Sequence, residues 1–291
     1  MKSFCIVTNK TKDANLKYTR LVQKKLEELG AAVTTDIDGK YECLVALGGD
    51  GTIIDAVRAV KKRSVTVVGI NLGHLGFLSS VEKNEIGNSL AALVEGDYEL
   101  ESRVMIEAGV EHGDSYYESV GGRAKKRESK RDASEHFTFV ALNDVVINRM
   151  GYSGMITTDV TVNRSLVNSY FGDGVIVSTP TGSTGYNLSA GGPIVTPEAQ
   201  LMVITPICPH SLSMRSVVVP SSSRIEIVLD LSRLKNQGNA SLSIDGQEAV
   251  RLYHGDRVFI KCSGRRVKLV RFKNKDFFKL LYMKLGEEKV R

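Results

Sequence analysis

Cys43-Leu44-Val45-Ala46-Leu47-Gly48-Gly49-Asp50-Gly51-Thr52-Ile53 decides how this chain is read. Its first five residues form a short, continuously apolar run of the kind carried by a strand buried on both faces. Ile53, Ala56, Val57 and Val60 then recur at helical spacing, so a strand gives way to a helix across the glycines. Glycines at such a junction let the backbone turn sharply and approach a ligand with no Cβ in between. The helix beyond offers free N–H groups and the positive end of its dipole to a phosphate. Asp50 is the one carboxylate in the turn from Gly48 to Thr52. Two readings of it stand open from this stretch alone: a cap on the following helix, or a functional carboxylate beside a bound phosphate.

The flanks repeat the same alternation. Ser3 to Thr8 reads as a strand, and Asn15 to Leu29 as a helix with Tyr18, Leu21, Val22, Leu26 and Leu29 apolar and Gly30 closing it. Ala32 to Thr35 and Val65 to Ile70 supply further strands, and Glu82 to Glu95 a helix ended by Gly96. Strands alternating with helices argue for a parallel sheet with helices on its faces. Ligands of such sheets bind outside the carboxyl ends of the strands. Both the Asp50 turn and the stretch Asn71-Leu72-Gly73-His74-Leu75-Gly76-Phe77-Leu78 fall at such ends. Phe77 and Leu78 read either as a flat apolar wall for a base or as anchors of the loop, and His74 as structural.

From Tyr98 the texture changes to short β-type segments between turns: Ser102 to Val110, Thr138 to Asn148, Ile156 to Val162, Gly174 to Ser178, Val217 to Pro220, Arg224 to Leu229, Ala240 to Ile244 and Asp256 to Cys262. A boundary near residue 100 into an all-β, sandwich-like domain follows. Asp276 to Leu285 is helical again, with Phe277, Phe278, Leu280, Leu281 and Met283 apolar.

Composition narrows the function classes. The 291 residues suffice for two domains, each with its own core. The formal charge is +6, and much of the excess sits in Gly121 to Arg131, where Arg123, Lys125, Lys126, Arg127, Lys130 and Arg131 face the single acid Glu128. Without interleaved aromatics this run reads as a solvated loop rather than a nucleic-acid surface, with attraction of a polyanionic nucleotide as the weaker reading. Cys5, Cys43, Cys208 and Cys262 form no C-x-x-C pair and have no histidine at zinc-ligand spacing, so they are expected to be reduced thiols of a cytoplasmic protein with no metal held by the protein itself. The apolar stretch Phe4 to Val7 is too brief for a signal peptide, and no run is long enough to span a bilayer.

Neither G-x-x-x-x-G-K-[ST] nor G-x-G-x-x-G occurs, so any phosphate handling uses another geometry. The β region offers one. Gly172-Asp173-Gly174 leads into a strand, and after it comes Thr179-Pro180-Thr181-Gly182-Ser183-Thr184-Gly185-Tyr186-Asn187-Leu188-Ser189-Ala190-Gly191-Gly192-Pro193. Its hydroxyls and backbone N–H groups suit a sugar, a base or phosphates, and Tyr186 is placed to stack on a ring. A flexible polar linker is the competing reading, but fixed prolines and a tyrosine between strands speak against it.

Taken in order, Gly48-Gly49-Asp50-Gly51-Thr52, Asn71-x-Gly73-x-Leu75-Gly76-Phe77, Leu142-Asn143-Asp144, Asp173-Gly174, Thr179 to Tyr186, Gly191-Gly192-Pro193, Pro209-His210-Ser211-Leu212 and Asp245-Gly246-Gln247 resemble the motifs of the NAD kinase family, bacterial type. The resemblance implies an α/β plus all-β protein: a phosphofructokinase-like α/β domain over 1–100, a β-sandwich domain over 101–271, and a tail over 272–291 packing back on the first. It implies transfer of the γ-phosphoryl of ATP to the 2′-hydroxyl of the adenosine ribose of NAD, giving NADP. A ribose hydroxyl needs a positioned base, and Asp50 resembles it, with Gly49 and Gly51 beside the phosphates. Mg²⁺ or another divalent cation is expected with the ATP, held largely by its phosphates. Asn143 and Asp144 are implied to meet the adenosine half of NAD, and Thr184, Gly185, Tyr186, Asn187, Leu188 and Ser189 to line the same site. Tyr186 would lie against the adenine with Phe77 beside it, Asp173 toward the nicotinamide end, and Gln247 at the site. A homodimer or homotetramer in the cytoplasm is implied, acting on NAD and ATP with no nucleic-acid or membrane partner.

The sequence departs from that pattern in three places. Asp55 stands where many members carry a basic residue, Gly185 replaces the commonest alanine, and the loop Gly121 to Arg131 is longer and more basic than the resemblance suggests. The Gly-Gly-Asp-Gly turn is also shared by lipid kinases, and a dinucleotide sensor without turnover is the non-enzymatic alternative. No amphipathic basic helix with exposed large apolar residues supports the first, and retention of Asp50 speaks against the second.

Overall fold

A computed structural model of the protein describes residues 1–61, 64–73, 76–119, 138–151, 154–211, 213–233, 239–272 and 276–286. The basic segment Gly121 to Arg131, His74, Leu75 and Leu212 lie outside them. In chain order the elements are β1 (Ser3–Thr8), α1 (Lys17–Glu28), β2 (Ala32–Thr34), β3 (Cys43–Gly48), α2 (Asp50–Ala59), β4 (Ser64–Asn71), α3 (Ile86–Glu95) and β5 (Glu99–Glu111). Then come α4 (Asp114–Ser119), β6 (Phe139–Ala141), β7 (Asp144–Arg149), β8 (Ile156–Val162), β9 (Ser165–Gly172), β10 (Gly174–Ser178), α5 (Tyr186–Ser189), β11 (Leu201–Ile207), β12 (Val217–Pro220), β13 (Arg224–Asp230), β14 (Ala240–Ile244), β15 (Gln247–Leu252), β16 (Arg257–Arg271) and α6 (Phe277–Leu285). They divide into two compact units, Met1–Arg103 with Arg265–Arg291, and Val104–Gly264.

The first unit is an α/β unit. Its strands run parallel in the order β2, β1, β3, β4 and the last part of β16. Parallel strands covered on both faces must be apolar throughout, and all six residues of β3 are buried. Phe4, Ile6, Val45, Leu47, Val68 and Ile70 of the strands pack with Val22 and Leu26 of α1 and with Ile86, Leu90 and Leu93 of α3. Gly96, at φ 92°, ends α3 as expected. The tail helix α6 is capped by Asp276, whose carboxylate accepts from the N–H groups of Phe278 at 2.7 Å and Lys279 at 3.0 Å.

The second unit is rich in antiparallel sheet. One sheet orders its strands β12, β11, β10, β7, β14, β15, and in the other β13 pairs with β16 and with β8, which pairs with β9. Val145, Ile147, Val175, Val177, Met202 and Ile204 from the first sheet share one apolar core with Val160, Ile225, Ile227, Val258 and Ile260 from the second.

Several sequence-level expectations are corrected here. The run expected as one segment over Thr138 to Asn148 is two strands, broken at Leu142-Asn143. Three strands had no expectation. β9 lacks clean alternation, β15 is polar and largely exposed, and β11 carries Thr205 and Pro206 within an otherwise apolar run. β16 extends nine residues beyond Cys262, where Arg265, Arg266 and Lys268 hide the buried Val267, Leu269 and Val270.

Candidate active site

In the α/β unit the polypeptide leaves β3 through Gly48 and enters α2 at Asp50, with Gly49 as the residue before the helix at φ −140°. Asp50 therefore does not cap the helix. Its carboxylate instead reaches the loop after β4, where Oδ2 accepts from the Phe77 N–H at 2.7 Å and Oδ1 from the Leu78 N–H at 3.1 Å. A Cβ on Gly76 would stand 1.9 Å from Asp50 Oδ1, so only glycine lets the loop come this close. Asn71 fixes the start of the same loop, accepting from the Gly73 N–H at 3.0 Å and donating to the Gly73 carbonyl at 3.0 Å. One N–H bond per oxygen orients the carboxylate and leaves each oxygen a lone pair for a further donor.

A residue that the sequence did not single out stands beside it. Asn9, just past β1, accepts from the N–H groups of Thr11 and Lys12 and so shapes the loop that carries Lys12. The Lys12 ammonium lies 2.8 Å from where a Cβ on Gly49 would be and 3.5 Å from the same point on Gly73. Lys12 is exposed and has no carboxylate partner within ion-pair distance among the described residues. The only signal in the sequence was a lysine shortly after the first strand, which nothing local separates from its neighbour Lys10. Leu78 is buried in the core, while the Phe77 ring lies 6.2 Å from that of Phe277 and 5.6 Å from the Lys284 ammonium.

In the sheet-rich unit the break between β6 and β7 exposes a two-residue turn, Leu142-Asn143, immediately before Asp144. Its carbonyls are taken by the segment after β10. Thr179 donates its hydroxyl to Leu142 O at 2.6 Å and its N–H to Asn143 O at 2.8 Å. A Cβ on Gly182 would stand 2.2 Å from Asn143 O, which holds the Thr179–Gly185 loop against this turn. Asn143 Oδ1 is buried and has no hydrogen-bond partner among the described residues. That leaves an acceptor free for a ligand. Asp144 is 5 % exposed. Burial first, and the Asp245 charge second, push its carboxyl up to about 7.

Tyr186 is 42 % exposed at the head of α5. Burial raises its phenol above the usual value, and Cys208, Asp173 and Asp144 add to the shift. Asp173 pairs with Arg149 at 2.5 Å. Thr184 is half-buried, Leu188 likewise, and Gly185, Ser189 and Gln247 are exposed, Gln247 opening β15. Asn187 differs from the other loop residues. It is fully buried, its amide donates to Ser183 O at 3.2 Å and Pro193 O at 3.0 Å, and its Oδ1 accepts from Thr205 at 2.7 Å. The side chain is used up inside the protein, so Asn187 shapes the loop rather than offering a group to a ligand.

No group of three or more His, Cys, Asp or Glu able to hold a metal occurs among the described residues. None of the four cysteines is in a disulfide, with Cys5 and Cys43 buried and Cys208 exposed. No helix is long and apolar enough to cross a membrane among the described residues.

A glycine turn at a strand end with an oriented carboxylate, and a buried unpartnered acceptor beside a raised carboxyl, are features that suit a nucleotide-handling protein. The family model described as the ATP-NAD kinase N-terminal domain matches residues 5–98, and the one described as the ATP-NAD kinase C-terminal domain matches residues 142–272. The NAD kinase of Lachnoclostridium phytofermentans is 41% identical over 99% of this chain and 100% of its own, and that of Thermoanaerobacter sp. is 38% identical over the same shares. The fold is shared with yeast NADH kinase, at TM-score 0.79 and 24% identity over 100% of this chain and 89% of that one. It is shared also with an NAD kinase from Archaeoglobus fulgidus, at TM-score 0.71 and 24% identity over 98% of each. The chain belongs to the NAD kinase family, and ATP-dependent phosphorylation of NAD is its activity. Neither the lipid-kinase nor the sensor alternative finds support in these relatives.

Proposed function

We propose that Asp50 is the general base of this reaction, taking the proton of the adenosine 2′-hydroxyl as that oxygen attacks the γ-phosphorus of ATP. The observation that carries the proposal is the double N–H clamp from Phe77 and Leu78, which holds the carboxylate at the head of α2. A general base must keep a fixed direction toward the proton it removes. Lys12, beside Gly49 and Gly73, is placed to neutralise donor phosphates. Asp55 offers no positive charge where many relatives have one, and Lys12 fills that need from another element. Mg²⁺ or another divalent cation would arrive with the ATP and supply charge neutralisation at its phosphates.

We assign NAD to the sheet-rich unit. Asn143 Oδ1 and the Asp144 carboxylate accept from the adenosine half. Tyr186 stacks on the adenine, with Phe77 as a second apolar contact. Thr184, Gly185, Leu188 and Ser189 line the pocket, Asn187 supports it, Asp173 lies toward the nicotinamide end, and Gln247 is at the site. The unpartnered Asn143 Oδ1 is the support for this orientation. In architecture we read the first unit as phosphofructokinase-like, completed by the chain's last segment, and the second as a β-sandwich. We expect a homo-oligomer in the cytoplasm, which light scattering of the purified protein tests.

NADP formation from NAD, ATP and Mg²⁺ by the wild type and by Asp50→Asn tests the base. A fall in kcat of about 10²–10⁴-fold with NAD affinity retained is expected, and a kcat within threefold of wild type would remove Asp50 from the role.

A further inference from the structure

We propose that Asp245 is the positioning residue of the dinucleotide site: through the backbone of Leu142, Asn143 and Asp144 it sets the direction in which the Asn143 and Asp144 side chains meet NAD.

The geometry starts with a hairpin. Ile244-Asp245-Gly246-Gln247 joins β14 to β15, with φ 49° at Asp245 and 78° at Gly246. Two successive residues at positive φ make the tight turn that Asp-Gly supplies best. That conformation places the Asp245 carboxylate against a turn about a hundred residues away. Oδ1 accepts from the N–H groups of Asn143 at 2.7 Å and Asp144 at 3.1 Å, and Oδ2 from the N–H of Leu142 at 3.0 Å. The Asp245 N–H in turn donates to Asp144 O at 3.0 Å.

Three consecutive N–H groups converging on one side chain form a built cradle for negative charge. Here the charge is supplied by the protein itself. With Thr179 holding the carbonyls of Leu142 and Asn143, the backbone of the two-residue turn is fixed from both sides. The groups left over at the turn are Asn143 Oδ1, unpartnered among the described residues, and the Asp144 carboxyl, the two groups assigned to the adenosine half of NAD. An amide at position 245 would keep one acceptor oxygen and turn an NH₂ toward a backbone donor, so the clamp calls for a carboxylate.

The arrangement also sets one carboxylate beside another. Across the ladder, the neighbour of Asp144 on β10 is Ser178, which is uncharged, and on β14 Ile244 pairs with the next residue, Val145. The Tyr186 phenol, raised above its usual value, is protonated and uncharged at neutral pH. Asp245 is the charged group that acts on Asp144, after burial, in raising its carboxyl. The clamp therefore carries a signature that a purely structural turn would lack: removing the Asp245 charge alters the pH at which Asp144 ionises.

The inference rests on the assignment of Asp144 to NAD, and the experiment separates the two. Steady-state kinetics of NADP formation are measured between pH 5.5 and 9 for wild type, Asp144→Asn and Asp245→Asn. Asp144→Asn tests the underlying assignment, and an unchanged KM for NAD there overturns that assignment and the present inference with it. Where Asp144→Asn does raise KM, Asp245→Asn is expected to raise KM for NAD about tenfold, corresponding to loss of one charge-assisted hydrogen bond. Its kcat and its KM for ATP should stay within threefold. The rise of KM on the acid side should also move to lower pH, because the like charge is gone. A wild-type KM and pH profile in Asp245→Asn would overturn the proposal. If that variant does not fold, amide exchange in the wild type decides: slow exchange at Leu142, Asn143 and Asp144 is expected, and solvent-like exchange there overturns the clamp.

Discussion

Asp50 and Asp144 are two carboxylates of one enzyme held in opposite ways. Asp50 is half-buried at a strand-to-helix junction of the α/β unit, and two backbone N–H groups point at its oxygens. Asp144 is buried in the sheet-rich unit, and another carboxylate, not a donor, is the charge set against it. In the first case the backbone stabilises the side chain's charge and direction. In the second a partner side chain has taken the backbone donors, and Asp144 is left with burial and repulsion. The difference matches the two tasks proposed for them: a base needs a fixed direction, whereas a group that accepts from ribose hydroxyls can wait for its donors to arrive with the substrate. Ligand hydroxyls then supply what the free protein withholds.

That contrast is open to attack at its first member through Gly76. Gly76→Ala places a Cβ 1.9 Å from Asp50 Oδ1, so the carboxylate or the loop must move. A displacement near 1 Å of a reacting group costs on the order of 10²-fold in rate. We expect kcat for NADP formation to fall by about that factor, with KM for NAD changed far less. A kcat close to wild type would mean that the clamp is not what orients the base.

The second member is tested by Asp144→Asn. A carboxyl whose folded-state value is raised binds its proton more tightly folded than unfolded, so stability is lost as pH rises from the ordinary 3.8 toward about 7. Above that window the ionised group opposes folding by roughly 2–4 kcal/mol. The variant, lacking the charge, should be more stable than wild type at pH 8 by an amount of that order and indistinguishable at pH 4, as urea unfolding would measure. It should also bind NAD about tenfold less well, because an amide is a weaker acceptor for ribose hydroxyls than a carboxylate. Equal stabilities at both pH values would show that Asp144 is not the strained member of the pair.

The same contrast explains what could be read from the sequence. The α/β unit was legible because its signals are local. A buried strand is a run of apolar residues, a helix is a period, and Gly-Gly-Asp-Gly announces a turn at a strand end. Asp144, Tyr186 and Asp173 were found through motif resemblance, since Asn143-Asp144 alone reads equally as a turn or a cap. The clamps were not legible at all. Nothing in Asp245-Gly246 says that its carboxylate will meet the N–H groups of Leu142 to Asp144, because that contact is fixed by β7 and β14 pairing across a hundred residues. Asn187 shows the opposite error. Its place in a polar, ligand-like loop marked it as a contact, yet tertiary packing gave its amide to Ser183, Pro193 and Thr205.

Lys12 sharpens the comparison by asking what surrounds the oriented base. A carboxylate base beside three phosphates works against its own repulsion from them unless a cation intervenes. The Lys12 ammonium lies over Gly49 and Gly73, on the glycine side of the turn that carries Asp50, and no carboxylate of the described residues claims it. Because the side chain is exposed, its attraction for a polyanion is modest and screened by salt. Lys12→Ala is expected to raise KM for ATP about three- to tenfold at low ionic strength, consistent with about 1 kcal/mol. The gap between variant and wild type should narrow as potassium chloride is raised to 0.5 M, while KM for NAD stays unchanged in both. Lys12→Arg should restore most of the affinity, since guanidinium also pairs with phosphate. A KM for NAD that rises in step with that for ATP would place Lys12 among the groups that shape the acceptor site instead, and the division of labour between the two carboxylates would have to be redrawn.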